Sequence, residues 1–402
     1  MLTPAAAEQL IAQHLSCLPI ESLPVGYSAG SILRENVYAE RDQPPFDRVA
    51  MDGIAVATAG LRGGRTRLRI QATQAAGDPP LKLQSPGHCI EIMTGAVLPT
   101  DCDAVIPVER IQVADGFAQL EGGLAVEPQQ NVHRRGVDQR QGALLLQAGM
   151  RLEAPDIAVA AGAGMARVRV SQQPAVMVIS TGSELVEPGE PIEPWQLRRS
   201  NAYAIAAALR RRGFQRVADD HIVDDAAVLQ ARLKQHLGSY EVLILSGGVS
   251  MGKFDLVPAA LAACGVTQVF HKIAQRPGKP MWFGSAPGGG TVFALPGNPV
   301  STLVCLARYV IPALYAAMGA NPASADRSDK IALSAPLTFN ASLAGFVPVK
   351  VETDDWGRPW AVASPHNGSG DFAALAGTDG FVELPPGPNT YPKGFVTRLY
   401  RW

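Results

Sequence analysis

The stretch AVMVISTGSEL at residues 175–185 joins an apolar run to a polar turn that carries a glycine. Two later stretches repeat this arrangement: VLILSGGVSMG at residues 242–252 and TVFALPGNPVS at residues 291–301. Helical patterns separate the apolar runs, so we predict that the runs are strands of a parallel sheet. Turns that follow parallel strands meet at one edge of the sheet, where ligands bind. The repetition therefore predicts a doubly wound α/β fold with a ligand site at that edge.

The α/β region is expected to cover residues 173–325. Ser200 is a good residue to precede a helix over 201–212, and Gly213 is a good residue to end it. Further helices are predicted over 226–237 and near 256–264, and a final apolar helix is predicted over 301–318.

The flanking segments have other patterns. Residues 43–138 hold short alternating stretches between proline and glycine turns, which predicts an inserted β-rich domain. Residues 326–402 alternate in the same way, and we predict a small C-terminal β-barrel there. Helical spacing in residues 1–42 and 139–172 predicts a mixed helical domain that the β-rich domain interrupts.

Composition excludes several classes of protein. Of the 402 residues, 47% are hydrophobic and 18% charged, as in ordinary globular proteins, and the formal net charge of -1 argues against a nucleic-acid-binding surface. The longest apolar stretch, Val300 to Met318, is interrupted by Arg308 and Pro312, which argues against a membrane span. The five cysteines are scattered without metal-ligand spacing, so we expect a cytoplasmic protein.

Acidic residues follow the ends of the predicted strands. Glu184, Asp224 and Asp255 would share one edge of the sheet, and carboxylate oxygens are suited to Mg²⁺. The glycine turn over 246–252 offers backbone amides for phosphate oxygens. Taken singly, each acid also fits a helix cap, and a Gly-Gly pair also fits a plain tight turn. Their combination favours a site for a phosphate with its metal.

A basic segment lies between two predicted strands. Lys272, Arg276 and Lys279 occur within a few positions of one another, and Pro277 and Pro280 make the segment rigid and non-helical. Cations on a stiff loop are suited to phosphate or another oxyanion. We therefore expect these three side chains to face the acidic edge.

Further short motifs run through the chain from end to end. They are Phe46-Asp47 with Ala50-Met51-Asp52-Gly53, Met93-Thr94-Gly95-Ala96, Arg135-Gly136 with Asp138, Ser180-Thr181-Gly182 with Glu184-Leu185, Ser200-Asn201, Ser246-Gly247-Gly248-Val249-Ser250 with Gly252 and Asp255, Pro277-Gly278-Lys279-Pro280, and Leu295-Pro296-Gly297-Asn298-Pro299-Val300-Ser301. Each motif alone is weak. Together, in this order, they resemble the molybdopterin molybdenumtransferase family, which includes bacterial MoeA and the gephyrin E-domain.

The resemblance implies a fold and a reaction. The implied fold has four domains: the mixed helical domain, the inserted β-rich domain, a molybdopterin-binding α/β domain and a C-terminal β-barrel. The implied enzyme is a transferase of molybdenum cofactor biosynthesis that takes adenylylated molybdopterin and molybdate, with Mg²⁺, and releases AMP and molybdenum cofactor. It works as a homodimer whose sites are shared between chains, with the molybdopterin adenylyltransferase as a further implied partner.

The resemblance also implies roles for individual residues. The implied catalytic residues are Asp52, Glu184, Asp224, Asp255, Lys272 and Lys279, of which Glu184, Asp224 and Asp255 hold the metal. The implied substrate-binding residues are Thr94, Asp138, Ser246, Gly247, Gly248, Ser250, Gly252, Arg276, Pro296, Asn298, Pro299 and Ser369. Arg276 stands where the family usually has lysine, and 342–348 holds no arginine where the family often has several.

Two alternatives stay open from the sequence. One is an enzyme similar to a molybdopterin adenylyltransferase, which shares the α/β domain but not the other three domains. The other is a non-enzymatic scaffold similar to the gephyrin E-domain. A scaffold could lose its acids, whereas this chain retains Asp52, Glu184, Asp224 and Asp255.

Overall fold

A computed structural model describes residues 1–249, 255–325, 329–339, 342–365 and 367–402. Within them the chain forms two compact units. The first unit contains Met1–Glu35, Ala148–Glu153 and Arg167–Trp402, and the second contains Asn36–Gln147 and Ala154–Ala166. The boundaries of the four domains drawn from the sequence stay a prediction.

The central sheet of the first unit contains the strands that the apolar runs predicted. From one edge to the other, the order is Val217–Ile222, Val176–Thr181, Val242–Ser246, Thr291–Leu295, Trp282–Ser285 and Thr267–His271. The pairings among the first four of these strands are parallel.

These pairings confirm that the three apolar runs quoted from the sequence form parallel strands, whereas Trp282–Ser285 runs antiparallel to both of its neighbours. Antiparallel neighbours need only a short connection, whereas parallel neighbours need a longer crossover. The short basic segment 272–281 joins Thr267–His271 to Trp282–Ser285, so the antiparallel arrangement is the one that its length permits.

Both faces of this sheet are covered by helices, which confirms the doubly wound fold. Within the strand Val176–Thr181, Val178 packs in one apolar cluster with residues of the helix Asn201–Arg211. The next residue, Ile179, packs in another cluster with residues of the helix Ala226–Leu237. Successive side chains of a strand point to opposite faces, and both faces here are apolar because both are buried.

The helices of this region begin and end close to the predicted positions. They are Asn201–Arg211, Ala226–Leu237, Val257–Ala263, Pro299–Cys305, Ile311–Ala317 and Pro322–Ala325, with a π-helical turn over Leu306–Val310. Gly213 has a φ of 94° and follows the first of them, as expected of a residue that ends a helix. Ser200 precedes that helix, although its described side chain makes no capping hydrogen bond.

The continuous helical stretch Pro299–Ala317 is, within the described residues, long and apolar enough to cross a membrane. However, 83% of it is buried inside the protein, and core helices pass the same test of length and composition. By itself the stretch is weak evidence for a membrane span.

The C-terminal residues form the predicted β-barrel. Its strands follow one another around the barrel in the order Ala344–Thr353, Pro359–Ala363, Asp329–Leu333, Val396–Arg401 and Gly380–Leu384. The first strand pairs with both the second and the last, which closes the barrel. Leu337–Thr338 pairs separately with Thr390–Tyr391.

One strand links the α/β region to this barrel. Gln275–Arg276, within the basic segment, pairs in parallel with Ala344 and Gly345 at the start of the first barrel strand. Further elements of the first unit include the helix Pro4–Gln13, the antiparallel pair of Ile20–Pro24 with Arg167–Ser171, and the short parallel pair of Leu185–Val186 with Leu197–Arg198.

The second unit is rich in β-structure, as predicted. Its main sheet has the strand order Ala104–Pro107, Gly53–Val56, His88–Ile92, Arg67–Gln74, Phe117–Leu120 and Ile111–Ala114. Two short antiparallel pairs accompany it, Arg48–Val49 with Val132–His133 and Val37–Tyr38 with Leu144–Leu146. The helix Ala154–Gly162 lies where the helical spacing predicted it.

Candidate functional site

A cleft of about 810 Å³ lies at the carboxyl ends of three parallel strands. Thr181, Ser246 and Pro296, which end or directly follow these strands, line it together. The parallel pairing places the ends of the strands side by side, and the turns that leave them form the walls. The three glycine-bearing turns quoted from the sequence therefore meet in one cavity.

Half of the predicted site residues contribute to this cleft. Those that line it are Glu184, Asp224, Ser246, Gly247, Gly248, Asp255, Pro296, Asn298 and Pro299. Ser250 and Gly252 lie outside the described residues. Asp52, Thr94 and Asp138 belong to the second compact unit. Among the described lining residues, Lys272, Arg276, Lys279 and Ser369 do not appear.

Close approach to neighbouring atoms explains the two glycines after the strand Val242–Ser246. Gly247 has a φ of 102°, and a Cβ atom there would lie 2.8 Å from the carbonyl oxygen of Thr181. Gly248 has a φ of 66°, and its Cβ would lie 2.6 Å from a methyl carbon of Val257. A side chain at either position would strain the turn. The amide of Gly247 donates to the carbonyl of Leu295 (3.1 Å), so this amide holds the turn in place.

Asn201 connects two of the three turns. Its Nδ2 donates to Oγ of Ser246 (2.8 Å) and to the carbonyl oxygen of Gly297 (2.7 Å). Asn201 is the first residue of the helix Asn201–Arg211, so this helix fixes the separation of the two turns.

The acids of the cleft have different local surroundings. The amide of Ser183 donates to Oδ2 of Asp224 (3.1 Å), and the hydroxyl of Ser183 accepts from the amide of Asp224 (3.0 Å). The Glu184 carboxylate folds back over Gly182, where its Oε2 lies 2.5 Å from the place that a Cβ would occupy. Asp255 also lines the cleft.

Whether these acids suit a metal ion depends on their number and chemistry. Over the described part of the chain, no group of three His, Cys, Asp or Glu side chains is close enough to hold a metal ion. Mg²⁺, however, is usually held by one or two carboxylates together with substrate phosphates and water. Carboxylates beside a turn suited to phosphate fit that manner of binding, and the magnesium site stays a prediction.

The cleft also contains a buried cation that the sequence did not single out. Arg199 is only 5% exposed, and its guanidinium donates to the carboxylates of Glu187 and Asp219. Further bonds reach Oγ of Ser180 (3.2 Å) and the carbonyl of Asp220 (3.1 Å).

The charges of this arginine and its partners are mutually stabilised. Burial disfavours the charged guanidinium of Arg199, but Glu187 and Asp219 outweigh it and raise the pKa above its ordinary value. The hydroxyl of Tyr203 and the guanidinium of Arg199 hold the pKa of the Glu187 carboxyl below its ordinary value. Arg199 and Glu187 therefore remain ionised, and their ion pair fixes the segment that precedes the helix Asn201–Arg211.

The basic segment is held rigidly next to the cleft. The side chain of Gln275 is fully buried, donates to the carbonyl of Pro277 (3.1 Å) and accepts from the hydroxyl of Tyr309. A Cβ atom on Gly278 would lie 2.6 Å from Nε2 of Gln275, so the chain passes closely over this amide. Pro280, at the end of the segment, lines the cleft.

The C-terminal region supplies another part of the wall. Nδ2 of Asn298 donates to Oγ of Ser369 (2.8 Å), and the amide of Val300 donates to the carbonyl of Ser369 (3.2 Å). These bonds hold the segment so that Gly370 and Phe372 line the cleft. Ser369 thus holds this wall in place without itself being among the described lining residues.

Several lining residues were missed by reasoning from the sequence. The main ones are Gln196, Leu197, Arg198, Arg199, Gly370 and Phe372. A signal existed for the first four, because they directly precede Ser200-Asn201, the start of the helix beside the turns. Gly370 follows Ser369 in a glycine-rich turn, whereas no local pattern marks Phe372, whose place depends on contacts distant in sequence.

In the second unit, Asp52 and Thr94 form a pair. Oδ1 of Asp52 accepts hydrogen bonds from the hydroxyl (2.6 Å) and the amide (2.7 Å) of Thr94. These bonds lower the pKa of the Asp52 carboxyl, because both favour its ionised form. Asp52 is thereby held as an anion at a fixed place.

Asp138 has a different partner in the same unit. Its Oδ1 lies 2.9 Å from Nε2 of His133, and its amide donates to the carbonyl of Gln43 (3.0 Å). The strand Val132–His133 pairs with Arg48–Val49, and the amide of Gly95 donates to the carbonyl of Val49 (2.9 Å). The segments that carry Asp52, Thr94 and Asp138 are thus joined by hydrogen bonds.

Known protein families match along almost the whole chain. Residues 2–164 match the MoeA N-terminal region (domain I and II), and residues 177–316 match a probable molybdopterin binding domain. Residues 330–398 match the MoeA C-terminal region (domain IV).

Individual proteins agree with these matches. A molybdopterin molybdenumtransferase of Synechocystis sp. is 39% identical over 405 residues, covering 100% of both chains. One of Staphylococcus epidermidis is 30% identical, covering 97% of this chain and 93% of that protein. A crystal structure of a Pyrococcus molybdopterin biosynthesis MoeA protein has a TM-score of 0.82 at 30% identity, covering 100% of this chain and 99% of the other. The chain therefore belongs to the molybdopterin molybdenumtransferase family, transferases that insert molybdenum in molybdenum cofactor biosynthesis.

Proposed function

We propose that this chain inserts molybdate into adenylylated molybdopterin and releases AMP together with molybdenum cofactor. The observation that supports the proposal most directly is the cleft, which combines three acids with a close-packed glycine turn at the carboxyl ends of parallel strands. This combination suits a phosphoanhydride, because such a substrate brings phosphate oxygens that need amide donors and a cation.

The residues of the chain would act mainly by position and charge. Cleavage of the phosphoanhydride increases the negative charge on the departing phosphate, and preformed dipoles and cations lower the energy of that state. The turn that begins at Ser246 would supply the dipoles. The cations would come from Lys272, Arg276 and Lys279 on the basic segment, which reaches the cleft at Pro280 although these three side chains are not among the described lining residues. In this proposal a molybdate oxygen bonds to the phosphorus of the molybdopterin phosphate, the bond from that phosphorus to the bridging oxygen breaks, and AMP leaves with the bridging oxygen, so no protein nucleophile is required.

One or two of the carboxylates of Glu184, Asp224 and Asp255 would hold Mg²⁺ together with substrate phosphate oxygens. When bound, Mg²⁺ would neutralise phosphate charge as AMP departs. Asp224 is fixed by Ser183 in both directions, so its carboxylate keeps its place whether or not substrate is present.

The proposal is tested by measuring AMP release from adenylylated molybdopterin with molybdate and Mg²⁺ supplied or withheld. Release is expected only when both are present, because molybdate provides the attacking oxygen. Equal release without molybdate would identify a simple hydrolase of the anhydride and would overturn the insertion reaction. Formation of adenylylated molybdopterin from ATP, without molybdenum insertion, would instead favour the adenylyltransferase alternative.

The proposal includes a homodimer, in which the cluster around Asp52 of one chain completes the cleft of the other. It is supported by the family membership and by the fixed, ionised carboxylate of Asp52, which is exposed to solvent. We also propose that the protein is cytoplasmic. We propose further that a molybdopterin adenylyltransferase supplies its substrate.

Mixed dimers test the shared site. Neither the variant Asp52→Asn nor the variant Asp255→Asn is expected to release AMP on its own. If each site uses one residue from each chain, mixed dimers contain one intact site, and part of the activity should return. Subunit exchange is followed in parallel with differently labelled chains. Proven exchange without recovery of activity would contradict the shared site.

A further inference from the structure

We propose that Phe372 stacks against a planar heteroaromatic ring of the substrate and thereby contributes to the choice of substrate. The inference deepens the proposed function and rests on it for the identity of the ring, since adenylylated molybdopterin contains an adenine and a pterin. Stacking needs a flat apolar face that is open toward the ligand, and Phe372 offers one.

The surroundings of Phe372 distinguish it from an ordinary exposed apolar residue. Among the described residues that line the cleft, Phe372 is the aromatic one. It is 57% exposed, so its ring is available to a ligand. The other apolar side chains of the described lining are those of Leu185, Leu197, Val249 and the prolines, none of which offers a flat aromatic face to a ring.

The backbone around Phe372 is held by several hydrogen bonds. Ser369 is hydrogen-bonded to Asn298, in the turn that follows the strand Thr291–Leu295, and to Val300, in the first turn of the helix Pro299–Cys305. The amide of Phe372 donates to the carbonyl of Gly370 (3.0 Å), and its own carbonyl accepts from the amide of Leu375 (3.0 Å).

The turn after Phe372 is anchored in the protein core. Leu375, in the 3₁₀ turn Ala373–Leu375, packs against the apolar cluster that contains Val304 and Phe346. The ring is thus attached to a rigid part of the protein, and a ligand that stacks on it loses little energy to ordering of the chain.

The position of the ring agrees with the shape of the substrate. The glycine turn that suits phosphate and the wall that carries Phe372 line the same cleft. A nucleotide bound with its phosphate at the turn would need a flat contact for its base. Stacking between a base and an aromatic side chain tolerates different rings, because every base has a π-face. Either the adenine or the pterin of the substrate therefore fits as the ring that stacks on Phe372.

Binding measurements with three probes show whether the adenine or the pterin stacks on Phe372. AMP carries adenine, ribose 5-phosphate carries the same sugar phosphate without a base, and pterin-6-carboxylate carries the pterin. We expect Phe372→Ala to raise the Kd of one of the two ring-containing probes about tenfold, within the range typical of stacking on an aromatic side chain. The Kd of ribose 5-phosphate should not change. A change for AMP identifies adenine, and a change for pterin-6-carboxylate identifies the pterin.

Further variants separate stacking from general apolar contact. Phe372→Trp should retain affinity and show quenching of its fluorescence by the bound ring, whereas Phe372→Leu should lose most of the affinity. Trp356→Ala is the control, because Trp356 is 82% exposed in a barrel turn and is not among the lining residues described. It should bind all probes as the unmodified protein does.

The inference fails if Phe372→Ala and Phe372→Leu bind both ring-containing probes like the unmodified protein. It also fails if Phe372→Ala weakens ribose 5-phosphate to the same extent as AMP, because the residue would then only shape the cleft. Molybdate-dependent release of AMP by the unmodified protein is measured alongside. Release with unchanged probe binding overturns the role of Phe372 and leaves the proposed function intact.

Discussion

The variant Arg199→Met is expected to have a free energy of unfolding about 3 kcal/mol lower than that of the unmodified protein. Removing one partner of a buried ion pair typically costs about 3–5 kcal/mol, because the charge left behind has no counterion. Glu187 and Asp219 retain side-chain exposures of 40% and 41%, so water compensates them in part and the lower end applies. Urea unfolding at neutral pH measures the difference.

Arg401→Met is the control for this prediction. It makes the same substitution in an exposed ion pair, in which Nε of Arg401 lies 3.1 Å from Oδ2 of Asp329. Exposed pairs contribute about 0–1 kcal/mol, so this variant should be nearly as stable as the unmodified protein. An equally small decrease in the free energy of unfolding of both variants would contradict the view that Arg199 stabilises the segment beside the cleft.

The variant Asp224→Asn is expected to release AMP about a hundredfold more slowly, a loss of about 2.7 kcal/mol in transition-state stabilisation. Asparagine has the same shape, and its carbonyl oxygen can still accept from the amide of Ser183. The turn should therefore keep its structure while the cleft loses one negative charge for Mg²⁺. We expect the Mg²⁺ concentration that gives half-maximal rate to increase, which titration with Mg²⁺ measures.

The neighbouring acid provides a matched control. Oδ1 of Asp225 accepts from the amides of Ala227 (3.0 Å) and Val228 (2.9 Å), so it caps the helix Ala226–Leu237. Asparagine is an equally good capping residue, and Asp225→Asn should keep both its stability and its activity. If Asp224→Asn also keeps full activity and an unchanged Mg²⁺ requirement, Asp224 only fixes the turn with Ser183.

Local pattern predicted the strands and helices of the α/β region well. The helix Ala226–Leu237 agrees in both bounds, and Asn201–Arg211 ends one residue before the predicted end. Apolar spacing and terminating glycines are properties of neighbouring residues, so the sequence shows them directly. The C-terminal barrel was predictable for the same reason, because alternation along a strand reflects its two faces.

The candidate site was predictable in part. The turns after neighbouring parallel strands meet because such strands place their ends together, and the parallel pairing of Val176–Thr181 with Val217–Ile222 brought Glu184 and Asp224 to one cleft. The basic segment was expected to face the acids, but its three cations are not among the described lining residues. The reason is tertiary, since Gln275–Arg276 pairs with the first barrel strand and the turn closes over the buried side chain of Gln275.

The sequence by itself determined the order of elements, the glycine turns at the strand ends and, through its ordered motifs, the family. Only the tertiary structure decided that Arg199 is buried between two acids and that Phe372 forms a wall of the cleft. The place of Arg199 depends on its hydrogen bonds to Glu187, Asp219 and Ser180. The wall that carries Phe372 depends on the hydrogen bonds that Asn298 and Val300 make with Ser369. Contacts between residues far apart in sequence leave no local pattern, because the free energy that holds them arises only when the chain has folded.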